Sequence, residues 1–170
     1  MQFKRVIGQE EVKQKLIEMV AHNRLSHAIL FLGKEGSGAL PLALAFAEYI
    51  SMIPANNATS SQENALFDEP VTNEIKLPST AGEADEWLQR QPSFIKAEKL
   101  IHPDIHFSYP VITKKSGTPP ISTDFIAEWR EFIEQYPYGN IYDWLQFIGA
   151  DNKQGNITAQ ECNDIIRKLN

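Results

Sequence analysis

A glycine loop set between two apolar stretches constrains this chain more than any other feature. Ala28-Ile29-Leu30-Phe31-Leu32 is a continuous apolar run of strand length, Gly33 to Gly38 is glycine-rich, and Leu40 to Ile50 is dense in alanine and leucine. An unbroken run of this kind predicts a strand buried on both faces, as in a parallel sheet covered by helices. Pro41 falls in the first turn of the following helix, where its missing N–H costs little. Strand, glycine loop and helix in that order form the local architecture of a phosphate-binding loop, and equally of a plain glycine-rich turn.

A working phosphate loop has a glycine, four variable residues, a second glycine, a lysine and then a serine or threonine. Backbone N–H groups wrap the phosphates, the lysine neutralises the terminal ones and the hydroxyl holds magnesium. The frame here is Gly33-Lys34-Glu35-Gly36-Ser37-Gly38-Ala39-Leu40. The glycines keep the spacing, but Ala39 stands at the lysine position and Leu40 at the hydroxyl position. Charge on a terminal phosphate would go uncompensated where transfer chemistry needs it. Hydrolysis and ATP binding are therefore not expected, and no cofactor is. Two other readings stay open. Lys34 substitutes for the absent lysine in a divergent NTPase, or the backbone at Gly36 to Gly38 and the helix N-terminus bind phosphate without hydrolysis.

The rest of the chain alternates clear helices with less regular stretches. Val12, Leu16, Met19 and Val20 predict a helix over 9–23, with Glu10, Glu11, Lys13 and Lys15 on the opposite side. The polar stretch from Ile53 to Gly82, punctuated by Pro54, Pro70 and Pro78, predicts a long excursion. A helix over 83–100, broken near Pro92, follows. Ile105, Phe107 and Tyr109 alternate with His106 and Ser108, which predicts a second strand over 104–111. After a loop over 114–120, Thr123 is expected to cap a helix bearing Phe125, Ile126, Trp129, Phe132, Ile133 and Tyr136. A short helix over 141–148 comes next, and a Thr158–Glu161 capping box opens a last one. Two strands are too few for a complete doubly wound sheet, so the missing ones would lie beyond Asn170.

Composition excludes several function classes. With 16 basic against 22 acidic residues, a net charge of −6 disfavours a domain that grips a nucleic-acid backbone by itself. No apolar run approaches the roughly 20 residues of a membrane span. Met1-Gln2-Phe3-Lys4-Arg5 leads into a polar segment, so a cytoplasmic protein is expected. The single cysteine, Cys162, permits no internal disulfide; on a stripe with Ile165, Ile166 and Leu169 it is expected to be a small buried hydrophobe. His102, Asp104 and His106 share a strand face, but Pro103 favours a structural role over metal binding. Asn152 to Glu161 imitates a calcium loop, but Ala150 falls at the first ligand position and Gln154 at the fifth. Trp129, Phe132, Tyr136, Trp144 and Phe147, at helical spacing, predict a core rather than a base-stacking platform.

Several segments together carry a family resemblance. Phe3 to Val12, with Val6-Ile7-Gly8-Gln9, resembles the stretch before the first helix of AAA+ clamp-loader subunits, where it lines the adenine pocket. Ser26-His27-Ala28 resembles their approach to the phosphate loop, and Ile101-His102-Pro103-Asp104 their lead into the second strand. Trp144 to Lys168 is similar to delta-prime subunits of the Bacteroides–Cytophaga group. The resemblance covers 1–52 and roughly 88–170. It implies an α/β P-loop NTPase fold of AAA+ type, three-layered, with an incomplete parallel sheet, an inserted long loop and extra helices. Residues 1–52 would hold the first helix, first strand, degenerate Walker A loop and its helix. Residues 53–98 would replace the family's zinc module, and 99–170 would supply the second strand and the remaining helices. The Walker B region and an arginine finger would lie beyond Asn170. The family's four zinc cysteines fall on Met52, Leu88, Gln91 and Phe94, with Pro92-Ser93 as a remnant, so the zinc is lost. The implied role is a non-catalytic structural subunit of the replicative clamp loader. It would sit beside the gamma/tau and delta subunits and reach the sliding clamp and primed DNA through the assembled complex.

Overall fold

In the computed structural model, which describes residues 1–54, 76–114 and 117–169, regular structure is almost entirely helical. Most of the excursion expected over 53–82 and two residues of the loop over 114–120 lie outside the described residues. The chain divides into two compact units, Met1–Phe31 with Pro41–Glu98, and Leu32–Leu40 with Lys99–Asn170.

In the first unit a 3₁₀ turn, Phe3–Arg5, precedes helix α1, Glu10–Ala21. Helix α2, Ala39–Ser51, enters this unit at Pro41, and α3, Ala81–Gln89, and α4, Phe94–Glu98, follow. The break between α3 and α4 falls at Pro92, as expected from its missing N–H. Thr80 caps α3 by accepting from the Glu83 N–H at 3.2 Å, while the Glu83 carboxylate accepts from the N–H and hydroxyl of Ser79. The buried stripe of α1 is Lys13, Leu16, Ile17 and Val20: Leu16 and Val20 are buried as expected, while Lys13 and Ile17 take the places of Val12, which is exposed, and Met19, which is half-buried. Lys13 turns inward because its stem is apolar and its Nζ donates to the Val6 carbonyl at 2.7 Å and pairs with Glu10 at 2.8 Å. The buried Asp85 carboxylate accepts the N–H groups of Phe3 (2.9 Å) and Lys4 (2.7 Å), fixing the 3₁₀ turn on α3. Tyr49 meets Phe3 and Trp87 edge-on at 6.0 and 5.9 Å, at the centre of this unit's core.

The second unit is built around aromatic rings. A 3₁₀ turn, Ser122–Phe125, runs into α5, Ile126–Gln135, followed by α6, Ile141–Phe147, and α7, Ala159–Leu169. Tyr109 stacks on Trp129 at 4.1 Å, and the buried Trp144 lies edge-on to Tyr109, Trp129 and Phe132 at 5.0 to 5.4 Å. These rings form core, as their spacing predicts, except that Tyr136 is exposed. Thr123 does not cap α5; its hydroxyl faces Asp164 at 3.5 Å, and the 3₁₀ turn feeds the helix directly. Thr158 accepts from the Glu161 N–H at 3.2 Å, but the Glu161 carboxylate does not return to close the capping box. Instead it is buried and accepts the N–H of Ser122 at 2.6 Å and the Ser122 hydroxyl. Glu161→Ala leaves that N–H buried without an acceptor, so a loss of about 2 kcal/mol is expected in denaturant unfolding. A loss under 0.5 kcal/mol, on the order of a surface substitution, would refute this role.

The expected three-layer α/β P-loop fold with a parallel sheet is not what the chain adopts: among the described residues there is no strand and no sheet, only one isolated antiparallel bridge, Val111 with Asn156. Two observations explain the difference. Residues 28–32 run without regular structure and largely exposed, Leu30 at 84% and Leu32 at 89%, with no neighbouring strand to accept ladder bonds. Of this stretch, the Phe31 ring meets an aromatic partner within the first unit, Phe46 at 6.3 Å. The alternation over 105–109 does sort the faces, with Tyr109 buried and His106 and Ser108 exposed. Phe107 and Tyr109 pack on Trp129 of α5, however, not within a sheet. Period-two patterning reports one buried face of an extended backbone; it does not report a hydrogen-bonded partner.

Candidate functional site

The glycine loop is shaped by a turn. The Ser37 N–H donates to the Lys34 carbonyl at 3.0 Å, and Gly36, third in that turn, has φ of +71°. A side chain is disfavoured at such a φ, so glycine is required there. Gly33 makes a close approach, since a Cβ on it would lie 2.3 Å from the Ser37 Oγ. Gly38 is buried at φ +91°, and Ala39 and Leu40, both half-buried, form the first two positions of α2. Gly33, Gly36, Ser37, Gly38, Ala39 and Leu40 are thus contiguous on one loop and helix start in the second unit. Val6, Ile7 and Gly8 belong to the first unit. Val6 is buried with its carbonyl held by Lys13, Ile7 is 79% exposed, and Gly8 has φ of +64°.

Charge around the loop is sparse. Lys34 is exposed and forms no ion pair among the described residues. Glu35 accepts from the Asn140 side chain at 3.2 Å, at the start of α6. Asn140 and Asp143 form a capping box there, each side chain bonding the other's backbone N–H at 2.9 Å. Glu35 and Asn140 escaped the sequence reading; the Asn-x-x-Asp spacing before an apolar run was the available signal. A tight turn with left-handed glycines at Gly36 and Gly38 is present, while a lysine and a hydroxyl at the head of α2 are not.

The positions expected to have held zinc do not fit it. Met52 and Leu88 are buried and Gln91 and Phe94 half-buried, in the first unit, where the Tyr49–Trp87 contact joins α2 to α3. The Gln91 amide is engaged with the Trp87 carbonyl at 3.1 Å, and a thioether, an alkyl chain, an amide and a phenyl ring offer zinc no thiolate or imidazole. Among the described residues no cluster of three or more His, Cys, Asp or Glu side chains is placed to hold a metal. His102 is buried and its Nδ1 accepts from the Asp104 N–H at 3.3 Å. Cys162 is exposed rather than buried, because α7 turns Glu161 and Asp164 inward instead. Asp164 is satisfied by Lys168 at 2.6 Å and by Arg167, and the Lys168 ammonium holds its carboxyl below the usual range.

No helix among the described residues is long and apolar enough to cross a membrane. Residues 8–145 match the model of a protein family described as DNA polymerase III, delta subunit. The chain matches no curated protein and no solved structure.

Proposed function

The chain belongs to the DNA polymerase III delta-subunit family, whose members serve the clamp loader, and on that premise we propose that it is a delta-prime subunit of Bacteroides–Cytophaga type acting as a non-catalytic structural member of that assembly. One observation carries the non-catalytic part: Ala39 and Leu40 occupy the head of α2, directly after a loop with the glycine spacing of a phosphate site. A methyl group there brings no charge to a terminal phosphate, and an isobutyl group brings no ligand to magnesium. The loop is read as vestigial, keeping its turn and losing its chemistry. No ATP and no zinc are used. The partners are the gamma/tau and delta subunits, with the sliding clamp and primed DNA reached through the assembled complex in the cytoplasm.

A second reading, binding of nucleotide or phosphate without this role, rests on Gly36 and Gly38 keeping backbone conformations suited to glycine. Divergent hydrolysis through Lys34 stands behind it. Calorimetric titration of ATP and ADP, with and without magnesium, separates the three. The expected result is no heat at millimolar nucleotide, together with co-purification with the delta and gamma/tau subunits. Binding independent of magnesium favours the second reading, and magnesium-dependent micromolar binding with turnover favours the third.

A further inference from the structure

We propose that the cleft beside the Val111–Asn156 bridge is a docking site for a short, extended, largely apolar peptide segment bearing one carboxylate, supplied by a partner protein. The bridge is a single rung: the Val111 N–H donates to the Asn156 carbonyl at 3.1 Å and the Asn156 N–H to the Val111 carbonyl at 3.0 Å. In an antiparallel ladder the next such rung lies two residues along, here Thr113 opposite Gln154. No backbone bond joins them, and the Gln154 carbonyl instead accepts from the Asn156 side chain at 3.4 Å. The two segments diverge at that point and leave an open cleft of about 360 Å³ within the second unit.

The lining states what fits. Val111 is buried and Pro120 half-buried, giving an apolar floor, and Pro120 has no N–H to donate. Thr113 and the Gln154 N–H form no backbone bond among the described residues, while the Gln154 carbonyl is engaged by the Asn156 side chain. An extended segment with unpaired main-chain groups takes up an added strand through them, with side-chain pockets setting selectivity. Lys153 is the one charged residue in the lining, is exposed, and forms no ion pair among the described residues. That ammonium selects a carboxylate. The net charge of −6 on the chain opposes a densely acidic tract, so one carboxylate among apolar residues is the matching chemistry.

The test is fluorescence anisotropy of the full chain with an N-terminally labelled, C-terminally amidated pentapeptide, Val-Val-Thr-Val-Glu. Saturable binding is expected, weakened about tenfold by Lys153→Ala, a surface change that leaves the helical circular dichroism intact. A peptide N-methylated at its central residue, unable to donate there, should bind at least tenfold more weakly. Absence of binding at 1 mM peptide would overturn the proposal. So would binding insensitive to both changes, or free glutamate competing as well as the peptide does.

Discussion

Replacing Trp144 by alanine is expected to destabilise the protein by about 4 kcal/mol, the range for deleting a large aromatic side chain from a core. Trp144 is 1% exposed and edge-on to Tyr109, Trp129 and Phe132, with Phe147 stacked at 6.4 Å. Its indole N–H also donates to the Pro110 carbonyl at 2.8 Å, which ties α6 to the extended segment before the bridge. Alanine removes the ring contacts and leaves that carbonyl without its donor. For a chain of this length, a loss of this size lowers the melting midpoint by roughly 10 °C. Trp144→Phe keeps a ring and forfeits the hydrogen bond, so it should fall between the two, near 2 kcal/mol. Melts followed by circular dichroism at 222 nm check both. A loss below 1 kcal/mol for alanine would show that α5 and α6 are held together by something other than this cluster.

Those same rings show what the sequence could and could not disclose. Trp129, Phe132 and Trp144 repeat at helical spacing, and helices α5 and α6 lie where that spacing puts them. Local signals of this kind survive because a helix satisfies its own backbone. Strands do not: residues 28–32 have the composition of a buried strand, yet a ladder needs a second segment, and composition in one place cannot supply one. The α1 stripe was legible at Leu16 and Val20 and not at Lys13, which counts as polar by type and behaves as an apolar stem ending on the Val6 carbonyl. At the glycine loop, the glycine spacing was legible, and residue type permits without dictating the left-handed backbone of Gly36. The Glu35–Asn140 contact was not, because it joins positions 105 apart in the chain.

Glu48 is the clearest case of a buried group that composition hides, a lone acid in the apolar α2, and its titration gives the second large effect. Its carboxylate is 1% exposed and pairs with the Met1 ammonium, with Arg5 adding attraction and Glu98 repulsion, while its second oxygen has no hydrogen-bond partner among the described residues. Burial outweighs the ammonium and pushes the carboxyl up from 4.5 to about 7. Because the folded state then holds its proton more tightly than the unfolded chain, the contribution of Glu48 is fully present below pH 4.5. It is lost as pH rises towards 7. At 1.36 kcal/mol per pH unit, the loss amounts to roughly 3 kcal/mol across that window. The neighbouring Tyr49 hydroxyl, pushed by burial to about 12, does not titrate there. Glu48→Gln has the shape of the protonated acid and nothing to titrate. The stability of the variant relative to the parent should therefore climb by about 3 kcal/mol between pH 4.5 and 8, measured by urea unfolding at each pH. If attraction to the Met1 ammonium were the larger effect, the carboxyl would titrate below 4.5. The variant would then lose ground as pH rises, the opposite slope, and the account of Glu48 as a burial-dominated acid would be wrong.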